Sequence, residues 1–347
     1  MKKEYQILIL KLFLFVPIII AMNFVYKTYF YEKDIQKNSE VINKVRMVVN
    51  DTSIIVYIGE SSNIAVRGDD KDQRAISEMI SDYFPSMKLG TITKEASHAG
   101  IYYELLRNIP ESSSVKTIIV TMNLRSFNSQ WIYSDLETPL QKSMVLIKDY
   151  PALFNRFLLS FKGYDIKSKR EREKQFKTKW KNDKLIFPYP FKYKNVLEWD
   201  KAVFHEGIKN PDGTKNQELT ELADSYVKTY AFQIDTLTNP RIKDFDNIVS
   251  LANKRNWHLV FNLMAENTER AKELIGDDLV YLIKQNRDLL VKRYNKNGVI
   301  VVDNLELIPD EQYIDRNWTT EHYAEKGRKT IAKNVADSLN QFYPNKH

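Results

Sequence analysis

Apolar positions follow two rhythms along this chain: short unbroken β-branched runs, and longer stretches at helical spacing. The runs are Ser53–Ile58, Lys116–Met122, His258–Met264 and Gly298–Val302, and the more broken Met87–Ile92 (MKLGTI) is a candidate for a further strand. Apolar residues at consecutive positions, rather than alternate ones, predict strands buried on both faces. Between the runs, Gln73–Phe84 sets Ile76, Met79, Ile80 and Tyr83 on one helical face. Ile101–Ile109 reads as a helix, and Arg241–Arg255 aligns Ile242, Phe245, Ile248, Val249 and Ala252. Thr268–Tyr294 is helical with a break near Gly276, and Glu325–Phe342 stacks Ile331, Ala332, Val335, Ala336 and Leu339. Strands separated by helices predict one α/β domain with a mostly parallel sheet between two helical layers.

The rhythm fails in two places. Ile7–Tyr26 is apolar for about twenty residues, the length that spans a bilayer. Lys2 and Lys3 precede it, so the positive-inside tendency orients it N-in and C-out, with Lys11 able to snorkel. A cleaved signal peptide is the rival reading, but the run is long and no small-x-small site follows it cleanly. A retained anchor over residues 1–26 is therefore expected, followed by a juxtamembrane helix or stalk over 27–52 and a domain over 53–347 outside the cytoplasm. Within that domain, residues from about 128 to 238 interrupt the alternation. They hold the aromatic-proline stretch Phe187–Phe191 and a Pro211-Asp212-Gly213 turn, and read as a largely helical insertion. The Phe187–Tyr193 aromatics are expected to pack rather than to form a ligand platform.

Composition sharpens this picture only where it is uneven. The net charge is +7, and Lys162–Lys184 alone carries ten Lys or Arg against four acids. Such a run reads first as a solvated helix face, and second as a surface for anionic lipid or an acidic polymer. An outward orientation leaves nucleic acid out. No cysteine is present, which excludes disulfides, thiolate metal sites and cysteine nucleophiles. Five histidines without a pair at helical ligand spacing give no reason to expect a zinc site, and no metal or organic cofactor is expected.

Candidate chemistry gathers where strands end. Ser61 and Ser62 follow the first run through Gly59-Glu60, and a serine at the carboxyl edge of a sheet can serve as a nucleophile if a histidine stands beside it. Ser61 is the preferred one, and an ordinary turn is the plain alternative. His322 lies just before the last helix, and in a parallel sheet it can converge with Ser61 on one edge. Gly100 and Asn123, after the second and third strands, can supply an N–H and an amide to a developing oxyanion. His98 is a rival base, better read as a loop or pocket residue. Arg125 reads equally as a carboxylate binder or as an ion pair holding its loop.

In this order, Gly59-Glu60-Ser61, Gly100, Asn123 and His322 with Gly327 five residues on resemble the four blocks of the SGNH (GDSL-like) hydrolase family. The resemblance covers about Ser53 to Leu339, the insertion excepted. It implies a three-layer α/β/α fold with a flavodoxin-like sheet, Ser61 as nucleophile, His322 as base, and Gly100 and Asn123 as oxyanion donors. Glu60 stands where the family has Asp, and Asn123 lies in Asn-Leu-Arg rather than Gly-x-Asn-Asp. The position three before His322 is Thr319, where the family places its acid. Asp315 is the preferred substitute, with Glu321 or a Ser-His dyad on a backbone carbonyl as alternatives. The anchored layout is similar to the extracytoplasmic proteins that accompany membrane-bound O-acyltransferases in alginate acetylation and teichoic-acid D-alanylation. That likeness implies acyl-ester transfer or hydrolysis on a cell-envelope glycan, acylated or acidic, beside a polytopic acyltransferase. A catalytically inactive scaffold for such a membrane partner is the alternative.

Overall fold

The computed structural model describes residues 2–343, and between residues 2 and 14 only the side chains of Tyr5, Lys11 and Phe13. The four apolar runs and the Met87–Ile92 candidate form β1 (Ile55–Gly59), β2 (Leu89–Thr93), β3 (Thr117–Met122), β4 (His258–Leu263) and β5 (Val299–Asp303). They pair in one parallel sheet of order β2-β1-β3-β4-β5. The main helices are α1 (Lys2–Tyr29), α2 (Tyr31–Asn38), α3 (Glu40–Asn50), α4 (Ile76–Ser81) and α5 (Ala99–Leu106). The insertion contributes α6 (Ala152–Ser160), α7 (Lys169–Asn182) and α8 (Gln217–Tyr230), and after it come α9 (Pro240–Arg255), α10 (Asp277–Tyr294) and α11 (Glu325–Leu339).

Strand alternation divides the core in two. Ile55 and Tyr57 of β1 join α4 and α11 through Ile76, Ile80, Ile331 and Val335. Val56 and Ile58 face the other way, onto α3, α5, α9 and α10. Every residue of β1 and β3 is buried, as a sheet covered on both faces requires. Each fully buried aliphatic side chain here contributes about 1.5–3 kcal/mol. The order reverses between β1 and β3, and the crevice at their carboxyl ends is where open α/β sheets hold ligands.

The break expected near Gly276 is present, between Thr268–Leu274 and α10, with Gly276 at φ +107°. The final helix ends at Leu339 rather than Phe342, and Phe342 turns back to stack on His258 with ring centroids 4.1 Å apart. Residues 344–347 of the expected domain lie outside the described residues.

Residues 27–52, expected as a juxtamembrane helix or stalk, are largely helical. Ser39 breaks them into α2 and α3, its hydroxyl donating to the carbonyl of Ser143. Val41, Ile42, Val45 and Val48 of α3 are buried in the main core, because those four positions form an apolar stripe wide enough to dock. The insertion is mainly helical with a small antiparallel hairpin, Ile208–Lys209 with Lys215–Asn216, around the predicted turn. Its Trp180, Trp199, Tyr226 and Tyr230 join the same core as the sheet. Phe187, Phe191 and Tyr193 stack among themselves and on Tyr281 and Trp199, so they pack.

α1 contains the apolar run and Pro17. Its described side chains from Phe13 to Val25, including Phe15, Ile18, Ile20 and Phe24, are exposed, except for Asn23, which is half-buried against α6. Among the described residues no helix is long and apolar enough to cross a membrane. Of the expected anchor over residues 1–26, residue 1 and the side chains of residues 2–4, 6–10, 12 and 14 lie outside the described residues.

Candidate active site

The buried β1 run ends at Gly59, which lies close against Thr121 of the neighbouring parallel strand β3. A Cβ on Gly59 would stand 2.5 Å from Thr121 Oγ1 and 2.9 Å from the Tyr57 ring, so only glycine lets the two strands close there. The chain then turns through a single 3-10 turn, Ser61–Asn63. Asn63 holds that turn, donating to Ser77 Oγ at 3.1 Å and Thr93 Oγ1 at 3.0 Å while accepting from the Ser77 N–H at 2.9 Å. Ser62 is fully buried and its hydroxyl has no partner among the described residues. Ser61 is the partly exposed one.

Ser61 Oγ lies 3.0 Å from His322 Nε2, and His322 Nδ1 lies 2.7 Å from Asp315 Oδ2. With Asp315 accepting at Nδ1, that nitrogen carries the proton and Nε2 faces the hydroxyl as an acceptor. The acid stands seven residues before the histidine because the intervening chain forms a closed loop. The Ile314 N–H donates to the His322 carbonyl at 2.9 Å, and Tyr313 bridges Tyr323 in antiparallel fashion. Asp315 also accepts from Thr320 Oγ1 at 2.9 Å, which fixes the carboxylate under the ring.

Glu321 is elsewhere. It is fully buried against Arg125, with Oε2 2.5 Å from Nη2. Arg125 also donates to the Thr319 carbonyl at 2.9 Å, stands 4.0 Å from Glu60 and lies over the Trp131 ring. It therefore clamps the His322 loop to the end of β1. The clamp is more acidic than the sequence suggests, since Glu266 joins it through the Leu124 N–H and Tyr230 OH. Two buried carboxyls, Glu321 and Glu60, lie within 4.0 Å of one guanidinium, and Glu266 stands behind them. Burial drives Glu321 well above the usual carboxylate range, with Glu266 and Glu60 adding to the rise and Arg125 opposing it. Burial likewise raises Glu266. Burial opposes the charge on Arg125, but Glu321 and Glu60 outweigh it and raise its pKa further.

Glu60 has a second relation to the site, because the Ser61 hydroxyl also lies 2.8 Å from Glu60 Oε2. One hydroxyl proton cannot serve Glu60 and His322 together, so Ser61 has two exclusive hydrogen-bond states.

Asn123 is buried beside Glu60, Ala96, Ser97 and Arg125, lining a cavity of about 20 Å³, room for one water-sized group. Ala96, in that lining, adopts φ +55°. The sequence reading missed Ala96, and no local signal marks a left-handed alanine. Gly100 is placed differently. Its N–H donates to His98 Nδ1 at 3.1 Å, and a Cβ there would meet Asp244 Oδ2 at 2.8 Å. The N–H expected for an oxyanion thus serves the start of α5. His98 in turn donates from Nε2 to Glu137 at 3.0 Å. Burial, with Arg241 nearby, pushes the His98 ring down to about 4, so it is neutral in the folded protein.

The insertion also reaches this edge, a contribution that no motif announced. Thr229 Oγ1 meets Thr319 Oγ1 at 3.1 Å, and Tyr230 binds Glu266 at 2.5 Å. No protein-family model matches the chain, and no curated protein matches its sequence.

Proposed function

We propose that this protein is a membrane-anchored SGNH-like serine acyl-ester hydrolase or O-acyltransferase acting on a cell-envelope glycan. The observation carrying this reading is the hydrogen-bonded chain from Ser61 through His322 to Asp315, at 3.0 and 2.7 Å. The strand order and its switch point beside Ser61 support the flavodoxin-like layout of that family. In the reaction, Ser61 Oγ attacks the acyl carbonyl while His322 Nε2 takes its proton. The tetrahedral oxyanion draws donors from the Asn123 side of the crevice. His322 returns the proton to the departing alcohol, leaving an acyl ester on Ser61. Water or a glycan hydroxyl then gives its proton to Nε2 as it attacks that ester, and Nε2 hands the proton to Ser61 Oγ as the C–Oγ bond breaks and the serine is released. Asp315 holds the ring and stabilises its positive charge throughout. No metal or organic cofactor takes part.

The anchor is the apolar run of α1, supported by the exposed apolar side chains Phe13, Phe15, Val16, Ile18, Ile19, Ile20, Met22, Phe24 and Val25. It places the domain outside the cytoplasm, beside a polytopic acyltransferase as acyl source and an acidic or acylated glycan as acceptor. The basic α7 is suited to the acceptor.

A second reading, an inactive scaffold for that membrane partner, draws on Glu60. If Ser61 donates to Glu60 rather than to His322, the hydroxyl is not primed. A fluorophosphonate probe separates the two readings. Labelling of the wild type that disappears in Ser61→Ala supports the enzyme, and a folded but unlabelled wild type supports the scaffold.

A further inference from the structure

Where α1 meets the domain there is a cavity of about 610 Å³, bounded by α1 at Asn23 and Lys27, the end of α5, residues 146–152 and the end of α9. Lys27, Arg107, Lys148, Lys254 and Arg255 line it, against the single acid Asp149. Part of this charge is answered within the protein. Arg107 lies 2.9 Å from Glu104 and 3.2 Å from Asp149, and Lys148 reaches Glu104 at 3.3 Å. Lys27 and Lys254 have no ion pair among the described residues. Arg255 keeps Nε and Nη1 buried without a hydrogen-bond partner, its closest carboxylate being Glu111 at 3.7 Å. Buried guanidinium donors left unmatched are costly, and with Lys27 and Lys254 unpaired the cavity wall carries positive charge suited to a phosphate.

The position of the cavity narrows the choice of anion. It opens at the end of the apolar run, where α6 packs on α1 through the Leu153 N–H to Asn23 Oδ1 at 2.9 Å and on α2 through Arg156 to Asp34 at 2.8 Å. On and beside α6, Tyr150, Phe154, Phe157 and Phe161 are exposed. Aromatic side chains flanking a basic pocket beside an apolar helix match the headgroup layer of a bilayer, with its phosphates and amphipathic boundary.

We infer that this cavity binds the phosphate of an anionic lipid headgroup, seating the domain on the membrane with the α6 aromatics in the interface. This rests on the anchor proposed above for its lipid source. The chemistry recognised is a phosphate ester, which a free phosphate shares.

The test uses the full chain in neutral detergent, with dihexanoyl-phosphatidylglycerol, dihexanoyl-phosphatidylcholine and inorganic phosphate as separate probes. Saturable binding of the phosphatidylglycerol is expected, weakened about tenfold or more by Lys254→Ala with Arg255→Gln. Lys333→Glu on the exposed face of α11 leaves binding unchanged, and circular dichroism with thermal melting verifies the fold of each variant. Equal binding of phosphatidylcholine, or binding indifferent to the double variant, overturns the inference. Inorganic phosphate binding as tightly as the lipid overturns the headgroup source. Alkaline extraction of membranes scores the anchor separately. Retention is expected, and release sinks the anchor reading together with the lipid source, whereas failed binding by a retained protein sinks the cavity alone.

Discussion

His98 and His322 are built alike and placed in opposite settings. Each imidazole meets a carboxylate through one nitrogen, Glu137 at 3.0 Å and Asp315 at 2.7 Å. Each has a neighbour at the other nitrogen, and an arginine braces each neighbourhood. At His98 that neighbour is the Gly100 amide, a donor, and the ring is sealed inside the protein. At His322 it is the Ser61 hydroxyl, and the ring retains about a fifth of its side-chain exposure. A carboxylate-imidazole pair is therefore no signature of catalysis by itself. A donor opposite the free nitrogen uses up its lone pair in structure, whereas a hydroxyl offers it a proton to move.

The largest expected effect breaks the His322 half. Ser61→Ala or His322→Ala lowers turnover of an activated ester by a thousandfold or more, as loss of either proton-transfer partner does in serine enzymes. His98→Gln leaves the ester rate within about threefold at neutral pH, since that ring meets no reacting atom. A large loss in His98→Gln with the fold intact would end the contrast.

Asp315→Asn comes next, with a fall of about 10²–10⁴ in acylation rate because the amide favours the wrong tautomer. Circular dichroism and thermal melting should be unchanged. An undiminished rate would make Ser61 and His322 a dyad.

The third expectation concerns acid stability. The folded His98 titrates near 4 and an ordinary histidine near 6.5. Between those values the unfolded chain binds the extra proton, so stability falls as pH drops through the window. Glu266 and Glu321 work in the opposite sense, since they retain protons that the unfolded chain releases and lose stability as pH rises. Denaturant unfolding of wild type against His98→Gln isolates the histidine. The variant should lose less stability between pH 6.5 and 4, by up to about 3 kcal/mol. Parallel curves would show that His98 is not held neutral.

The smallest effect tests the rival acceptor. Glu60→Gln is expected to raise the labelling rate of Ser61 by roughly two- to tenfold, because a weaker acceptor leaves the hydroxyl to His322. A fall would show that Glu60 orients the serine rather than diverting it.

What was legible from sequence divides along the same line. The strands, the α9 and α11 stripes and the Ser61 turn follow from local pattern, because a doubly covered sheet leaves unbroken apolar runs in the chain. Placing Asp315 under His322 required the Ile314–His322 closure, a pairing across the loop that no fixed spacing announces. Glu321, adjacent in sequence to the base, was drawn off by Arg125 from another strand end. Gly100 sits at a plausible position in the order of motifs, yet its amide is spent on His98, whose tautomer depends on Glu137 in the insertion. Thr229 and Tyr230 reach the clamp only because the insertion folds onto the main core.

Asp315 and His322 occupy one closed loop, pinned to the sheet by Arg125 at the Thr319 carbonyl. They therefore leave Ser61 together whenever that loop opens, and competence is gained or lost in a single local unfolding step. The Ile314 amide, whose bond to His322 closes the loop, is its natural reporter. Its hydrogen-exchange rate would measure how often the assembled state comes apart, independently of any substrate.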